Sequence, residues 1–181
     1  MTEVCVFCGS SSGVQPSFTE AAGRFGSSLA ARGIGLVYGG ASIGLMGTVA
    51  DAVIEAGGRV TGVITESLAG HEIAHSTLST LEVVASMHER KARMSALADA
   101  FVMLPGGFGT YEEFMESVTW AQLGLHDKPC AILNVDGFFD ELLAFLEHAV
   151  AMGFIKSERM HGLIVSDDVT ALLDALATAR D

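Results

Sequence analysis

The stretch from Ala100 to Glu116 constrains this chain more than any other. It reads Ala-Phe-Val-Met-Leu, then Pro-Gly-Gly-Phe-Gly-Thr-Tyr-Glu-Glu, then a helical pattern. Five apolar residues stopped by Pro105 are too few for a helix and predict a strand buried in a parallel sheet. Gly106, Gly107 and Gly109 allow a tight turn and a close backbone approach to a ligand. Thr110 and Glu113 have capping-box spacing, which predicts a helix beginning at Thr110. A strand that feeds glycines into a helix amino end aims unpaired N–H groups and a positive dipole end at one spot. An anion fits there, most often a phosphate. Glu112 and Glu113 place carboxylates beside it, able to serve acid–base or charge-stabilising chemistry. The competing structural reading is that Thr110 and Glu113 only cap a helix.

The rest of the chain repeats this alternation. Glu3 to Cys8 predicts a strand ending in Gly9-Ser10-Ser11-Ser12-Gly13, and Ser17 with Glu20 predicts a capping box for a helix to about Arg32, closed by Gly33. Ile34 to Tyr38 reads as a second strand, leaving through the bend Gly39-Gly40-Ala41-Ser42-Ile43-Gly44-Leu45-Met46-Gly47 into a helix to about Ala56, ended by Gly57-Gly58. Arg59 to Ile64 is the third strand. Thr65 to Thr80 is the longest irregular stretch, a candidate lid or interface. Leu81 to Ala85 predicts a short strand, and Ser86 with Glu89 a capping box for a helix to about Ala98. After the Ala100 strand and its helix, which Gly124 ends, come a strand at Cys130 to Asn134, a helix at Phe138 to Met152 and a strand at Leu163 to Val165. Ser166 or Asp167 is expected to cap the terminal helix.

Strands alternating with helices predict a single doubly wound α/β domain over residues 1–181, Rossmann-like, with a mainly parallel sheet and helices on both faces. Right-handed crossovers then bring the Gly9, Gly39 and Gly106 loops to one sheet edge, where such sheets bind ligands. A second glycine bend at that edge weighs against a purely structural reading of Thr110 and Glu113.

Composition narrows the function classes. The 181 residues are 50% hydrophobic and 18% charged, so a packed core is expected. A formal net charge of −12 argues against nucleic-acid or acidic-membrane partners. A small anionic ligand needs only a local cationic pocket, and Arg90, Lys91 and Arg93 cluster. No apolar run approaches membrane-span length and the start does not resemble a signal peptide, so a cytoplasmic protein is expected. Three cysteines fit free buried thiols in a reducing compartment.

The remaining signals divide. No glycine run spells a P-loop or G-x-G-x-x-G. Arg90 and Lys91 lie near a helix start, where positive charge opposes the dipole. Solvated charge offset by Glu89 and Glu82 is one reading; a guanidinium for a carboxylate or phosphate is the other. His71-Glu72-Ile73-Ala74-His75 matches the zinc-peptidase pattern, but that chemistry needs a well-formed helix and a third ligand. The polar stretch that follows favours coincidence in a loop, and no metal is expected. Cys5 and Cys8 would point to opposite faces of a strand, so they read as core rather than as a redox pair. Met46, Met87, Met94 and Met103 read as core or pocket lining.

Four motifs carry a family resemblance: Cys-Gly-Ser-Ser at 8–11, Tyr-Gly-Gly-Ala-Ser-Ile-Gly-Leu-Met-Gly at 38–47, Met-His-Glu-Arg-Lys at 87–91 and Pro-Gly-Gly-Phe-Gly-Thr-Tyr-Glu-Glu at 105–113. In this order they resemble the LONELY GUY family of cytokinin riboside 5′-monophosphate phosphoribohydrolases, from about Val4 to about Gly162. The segment from Ile73 to Ser86 fits that pattern least well. The resemblance implies hydrolysis of the N-glycosidic bond of an N6-modified adenosine monophosphate to free base and ribose 5-phosphate, without a cofactor. It places Arg90 and Glu113 in the catalytic positions. Glu72, Lys91, Gly107, Phe108, Gly109, Thr110, Tyr111, Glu112 and Thr119 take substrate-binding positions, and Gly40 and Met87 are expected to join them. It also implies a homodimer with pockets near the subunit boundary. Three roles stay open for Arg90: positioning Glu113, holding phosphate, or assisting departure of the purine. The alternatives are a non-catalytic nucleotide-binding or carrier module of related fold, and a zinc hydrolase at His71 and His75. A lysine decarboxylase label attached to such sequences is discounted, since Lys91, Lys128 and Lys156 lie in no evident pyridoxal motif.

Overall fold

Every named strand in this chain pairs in parallel with its neighbours. A computed structural model describes residues 1–69 and 74–179. The strands are β1 (Glu3–Phe7), β2 (Gly35–Tyr38), β3 (Val60–Thr65), β4 (Thr80–Val84), β5 (Ala100–Met103), β6 (Cys130–Leu133) and β7 (Leu163–Ser166). They form one seven-stranded sheet in the order β4-β3-β2-β1-β5-β6-β7. The order reverses between β1 and β5, so the loops leaving those two strands part there and open a crevice.

Helices α1 (Pro16–Ala31), α2 (Gly44–Glu55), α3 (Glu66–Ala69), α4 (Met87–Leu97), α5 (Phe108–Gln122), α6 (Asp140–Ala151), α7 (Ser157–His161) and α8 (Val169–Thr178) connect or follow the strands. Strand alternation sorts the core into two layers. Val4 and Val6 join the cluster formed with α1, α2 and α8, whereas Cys5 and Phe7 join the one formed with α4 and α5. β5 is buried along its whole length, as its unbroken apolar sequence requires. Cys5 and Cys8 fall in opposite layers, and all three cysteines are free and buried. Among the described residues no helix is long and apolar enough to cross a membrane.

Several expected boundaries move. Thr65 is buried at the end of β3, and the irregular stretch after it contains α3. The short α7 and a 3₁₀ turn at Val135–Gly137 have no counterpart in the sequence reading. Ser86 caps α4 as expected: its hydroxyl accepts from the Glu89 amide at 3.2 Å, and Glu89 accepts in return from the Ala85 amide at 3.0 Å. The Ser17 box does not form, because Pro16 opens α1 two residues earlier than a Ser17 cap would, with Gln15 at the cap position. The Thr110 box does not form either: α5 begins at Phe108 behind Gly107, with no side chain capping it. The last helix is capped by Asp168, one residue beyond the expected pair, which accepts from the Ala171 amide at 2.7 Å.

Candidate active site

Arg90 and Glu113 meet at the carboxyl-terminal edge of the sheet. Capping by Ser86 starts α4 so that Arg90 falls in its first turn and its side chain turns inward, 6% exposed. Its Nη1 donates to Glu113 Oε1 at 3.0 Å, with side-chain exposures of only 7% and 13%. Its Nε donates to the Val63 carbonyl at 2.9 Å, and Nη2 to the Gly39 carbonyl at 3.4 Å. The guanidinium is thus held from three directions, by β3, the loop after β2 and α5. Little water surrounds the pair, so its mutual attraction is weakly screened.

Gly39 makes this placement possible, since a Cβ there would overlap Arg90 Nη2 and Met46 Cε. Gly40 adopts the left-handed conformation at φ +79°, open to glycine at no steric cost, and its carbonyl accepts from the His75 amide at 3.0 Å. Met87 is 41% exposed at the start of α4, with its sulfur 3.9 Å from Arg90 Nη1.

The three glycine loops converge as expected. The Gly9 amide donates to the Pro105 carbonyl at 3.0 Å, and the Met46 amide to the Gly9 carbonyl at 3.3 Å. Gly106 is so close to Thr110 and Gly9 that a Cβ would strike the threonine hydroxyl and the Gly9 amide. A cavity of about 340 Å³ opens there, lined by Gly9, Ser11, Phe18, Leu45, Gly106 and Phe138 among others. It lies on the α1–α2 side of the loops, whereas Arg90 and Glu113 come from the α4–α5 side. Between them stands the amino end of α5, whose first N–H groups have no capping side chain. Thr110 is buried within this turn rather than capping it.

The other expected residues distribute unevenly. Gly107 and Gly109 each leave open space where a Cβ would be, and Phe108 is almost wholly exposed at 94%. Tyr111 turns toward the core, its ring edge-on to Phe139 at 6.4 Å. Lys91 Nζ donates to Glu112 at 2.5 Å and to Glu116 at 3.1 Å, forming a second charged cluster on the outer side of α4 and α5. Burial disfavours the Lys91 charge, but the hydrogen bonds it donates to Glu112 and Glu116, with their negative charges, outweigh it and raise its pKa. Thr119 is exposed, its hydroxyl donating to the Met115 carbonyl at 2.7 Å, about 9 Å along the helix from Glu113. It is not part of the Arg90–Glu113 cluster. Glu72 and His71 lie outside the described residues.

Three contributors escaped the sequence reading. Glu116 had a findable signal, since it stands one turn from Glu112 on the same helix face. The Val63 and Gly39 carbonyls had none, because any residue supplies a carbonyl. Arg90 is not the solvated charge considered above; Arg93 is the cation that pairs with Glu82, at 2.6 Å.

Two rival chemistries fit poorly. His75 lies outside any helix, and its Nε2 is 2.9 Å from Asp51 Oδ1, so it does not present the helical pair of a zinc peptidase. A pyridoxal Schiff base needs a lysine that can lose its charge. Lys91 has the opposite environment, and Lys128 Nζ is tied to the Ser95 carbonyl at 2.6 Å.

Comparison with known proteins identifies the family. A family model described as "Possible lysine decarboxylase" matches residues 46–176. A protein of Arabidopsis thaliana named cytokinin riboside 5′-monophosphate phosphoribohydrolase LOG7 is 54% identical over 153 residues, covering 84% of this chain and 70% of its own. A rice protein named probable cytokinin riboside 5′-monophosphate phosphoribohydrolase LOGL9 is 53% identical over 173 residues, covering 96% of this chain and 76% of its own. Among solved structures, the molybdenum cofactor carrier protein of Chlamydomonas reinhardtii superposes with a TM-score of 0.73 at 22% identity, over 98% of this chain and 97% of that one. At that identity the likeness is one of fold alone. With its seven-stranded parallel sheet, its glycine edge and about half its residues shared with those plant proteins over most of its length, the chain belongs to the LOG family of cytokinin riboside 5′-monophosphate phosphoribohydrolases.

Proposed function

We propose that this protein hydrolyses the N-glycosidic bond of N6-modified adenosine 5′-monophosphates, releasing free base and ribose 5-phosphate as a step of cytokinin biosynthesis. The observation that carries the reading is the buried contact between Arg90 and Glu113 beside the uncapped amino end of α5. Binding alone needs no carboxylate next to a phosphate site, which disfavours a carrier of the same fold.

The phosphate is assigned to the first turn of α5, with the backbone of Gly107 to Thr110 as donors. Holding it there fixes the ribose and orients its C1′ at the reacting centre. As the bond from C1′ to the purine nitrogen breaks, positive charge builds on the ribose ring. Glu113 stabilises that charge and orients the attacking water, taking a proton from it as the new C1′–O bond forms. The electron pair of the broken bond leaves with the base.

Of the three roles open to Arg90, positioning Glu113 is the one its contacts favour. Its Nε and Nη2 serve two backbone carbonyls and its Nη1 serves the carboxylate. Lys91 and Glu112 form the outer wall, and Met87 and Phe108 present apolar surface near it. Glu72 takes the ribose or the base. Thr119, with Leu123 and Leu125 exposed beyond it, marks the face of α5 that a second copy covers in the homodimer. The chain acts as one Rossmann-like domain in the cytoplasm.

The test is to incubate the protein with isopentenyladenosine 5′-monophosphate and to follow free base and ribose 5-phosphate by chromatography. Both products are expected in equal amounts. Absence of turnover on this compound and on AMP overturns the reading.

A further inference from the structure

His75 is a buried polar side chain near the sheet edge that the mechanism leaves unused. It is 7% exposed, although it lies outside any helix or strand. Its Nε2 is 2.9 Å from Asp51 Oδ1 on α2. Its Nδ1 faces the Thr77 hydroxyl at 3.3 Å and the Thr77 amide at 3.5 Å. A neutral ring carrying its proton on Nε2 satisfies all three: it donates to Asp51 and accepts from Thr77. The surrounding backbone is tied to the loop after β2, with the His75 amide donating to the Gly40 carbonyl at 3.0 Å and an antiparallel bridge joining Ala74 to Ala41.

That loop is the one against which Arg90 rests. Gly39 supplies a carbonyl to Nη2 and has no room for a Cβ beneath the guanidinium. Gly39 and Gly40 have no side chains of their own to anchor them, so the loop depends on what clamps it from outside. His75 clamps it twice: by backbone to Gly40, and by its ring to the helix that the loop enters.

We propose that His75, through its hydrogen bond to Asp51, is a positioning residue that holds the Gly39–Ala41 loop and thereby sets the orientation of Arg90 toward Glu113. This rests on the phosphoribohydrolase reading of that pair. Removing the imidazole leaves the loop with backbone contacts alone, and the guanidinium loses its fixed seat. Small misplacements at a reacting centre carry large rate costs, about 10- to 100-fold.

The experiment compares His75→Ala, His75→Gln, Asp51→Ala and Glu113→Gln with the wild type, measuring kcat and KM on isopentenyladenosine 5′-monophosphate. The same variants are examined by NMR at the Arg90 Nε–H, assigned by its loss in Arg90→Lys. His75→Ala and Asp51→Ala, each of which removes the ring-to-α2 hydrogen bond, are expected to lower kcat about 10-fold or more with KM changed less than about threefold. The Arg90 Nε–H signal should shift or broaden in both. His75→Gln, whose amide can still donate to Asp51, should recover much of the loss. A kcat within twofold of wild type in both variants, with Glu113→Gln inactive, overturns the proposal. If the wild type itself is inactive, the phosphoribohydrolase reading fails instead. The Arg90 signal then decides: an unchanged signal overturns the positioning role and a displaced one supports it. Asp51→Ala keeps the test informative where His75→Ala does not fold.

Discussion

Arg90 Nη1 and Glu113 Oε1 lie 3.0 Å apart, joining the first turn of α4 to the first turns of α5 across 23 residues of chain. Neither position near a helix start favours the arginine, since the dipole opposes its charge there. The pair is held because each group is withdrawn from water and has the other as its counter-charge. A buried pair of this kind is a weak source of net stability, yet breaking it from one side is costly.

Two substitutions separate chemistry from stability at this pair. Glu113→Gln keeps the shape and a hydrogen-bond acceptor but leaves the buried Arg90 charge without its counter-charge; it is expected to lower kcat by about 10²–10⁴ and to destabilise the fold less than Arg90→Ala does. Arg90→Ala strands a buried carboxylate and is expected to destabilise the fold by about 3–5 kcal/mol. Turnover assays and chemical denaturation of both variants check this; a fully active Glu113→Gln refutes the role assigned to the carboxylate.

The glycines of the α5 loop are not equivalent. A Cβ on Gly106 meets the Thr110 side chain and the Gly9 backbone, whereas Gly107 has open space. Gly106→Ala should therefore cost about 1–3 kcal/mol through overpacking, while Gly107→Ala should fold with near wild-type stability. Thermal melts of the two variants give the comparison, and equal melting temperatures would contradict the packing described for Gly106.

The thiols should be silent in the native state. Burial pushes the Cys130 thiol up to about 12 from its ordinary value of 9.0, and raises Cys5 and Cys8 as well. Ellman's reagent at pH 8 is expected to find no fast-reacting thiol in the folded protein and three in denaturant. The native state holds these protons where the unfolded chain releases them, so the three thiols also lower stability as pH rises above about 9. Titrating the denaturation midpoint from pH 8 to 10 reads that slope.

His126 supplies an effect on the acid side. Desolvation, reinforced by Lys128, lowers its pKa below the ordinary 6.5, so the folded protein favours the neutral ring. The unfolded chain takes up a proton first as pH falls. The stability His126 confers is therefore present above pH 6.5 and lost below it. Replacing it by Gln should flatten the dependence of melting temperature on pH between 7 and 5; an unchanged slope would show that other groups govern it.

The capping boxes show where local sequence suffices. The Ser86–Glu89 box formed because its partners lie within four residues and nothing larger competes. At Thr110 and Glu113 the same spacing misled. The helix begins at Phe108 instead, so Thr110 lies buried inside its first turn and the Glu113 carboxylate faces Arg90. Pro16 overrode Ser17 in a similar way, its fixed φ starting α1 two residues early.

By itself, the sequence determined the strands, the glycine edge and a helix following the Gly106 loop. Each of these follows from short-range rules: apolar runs bury and glycine turns the chain. Only the tertiary structure decided what the charged residues do. It turned Arg90 inward to Glu113, sent Lys91 outward to Glu112 and Glu116, and put His75 behind the Gly39 loop. Those assignments depend on charge pairing and desolvation between segments far apart in the chain, which no local spacing encodes.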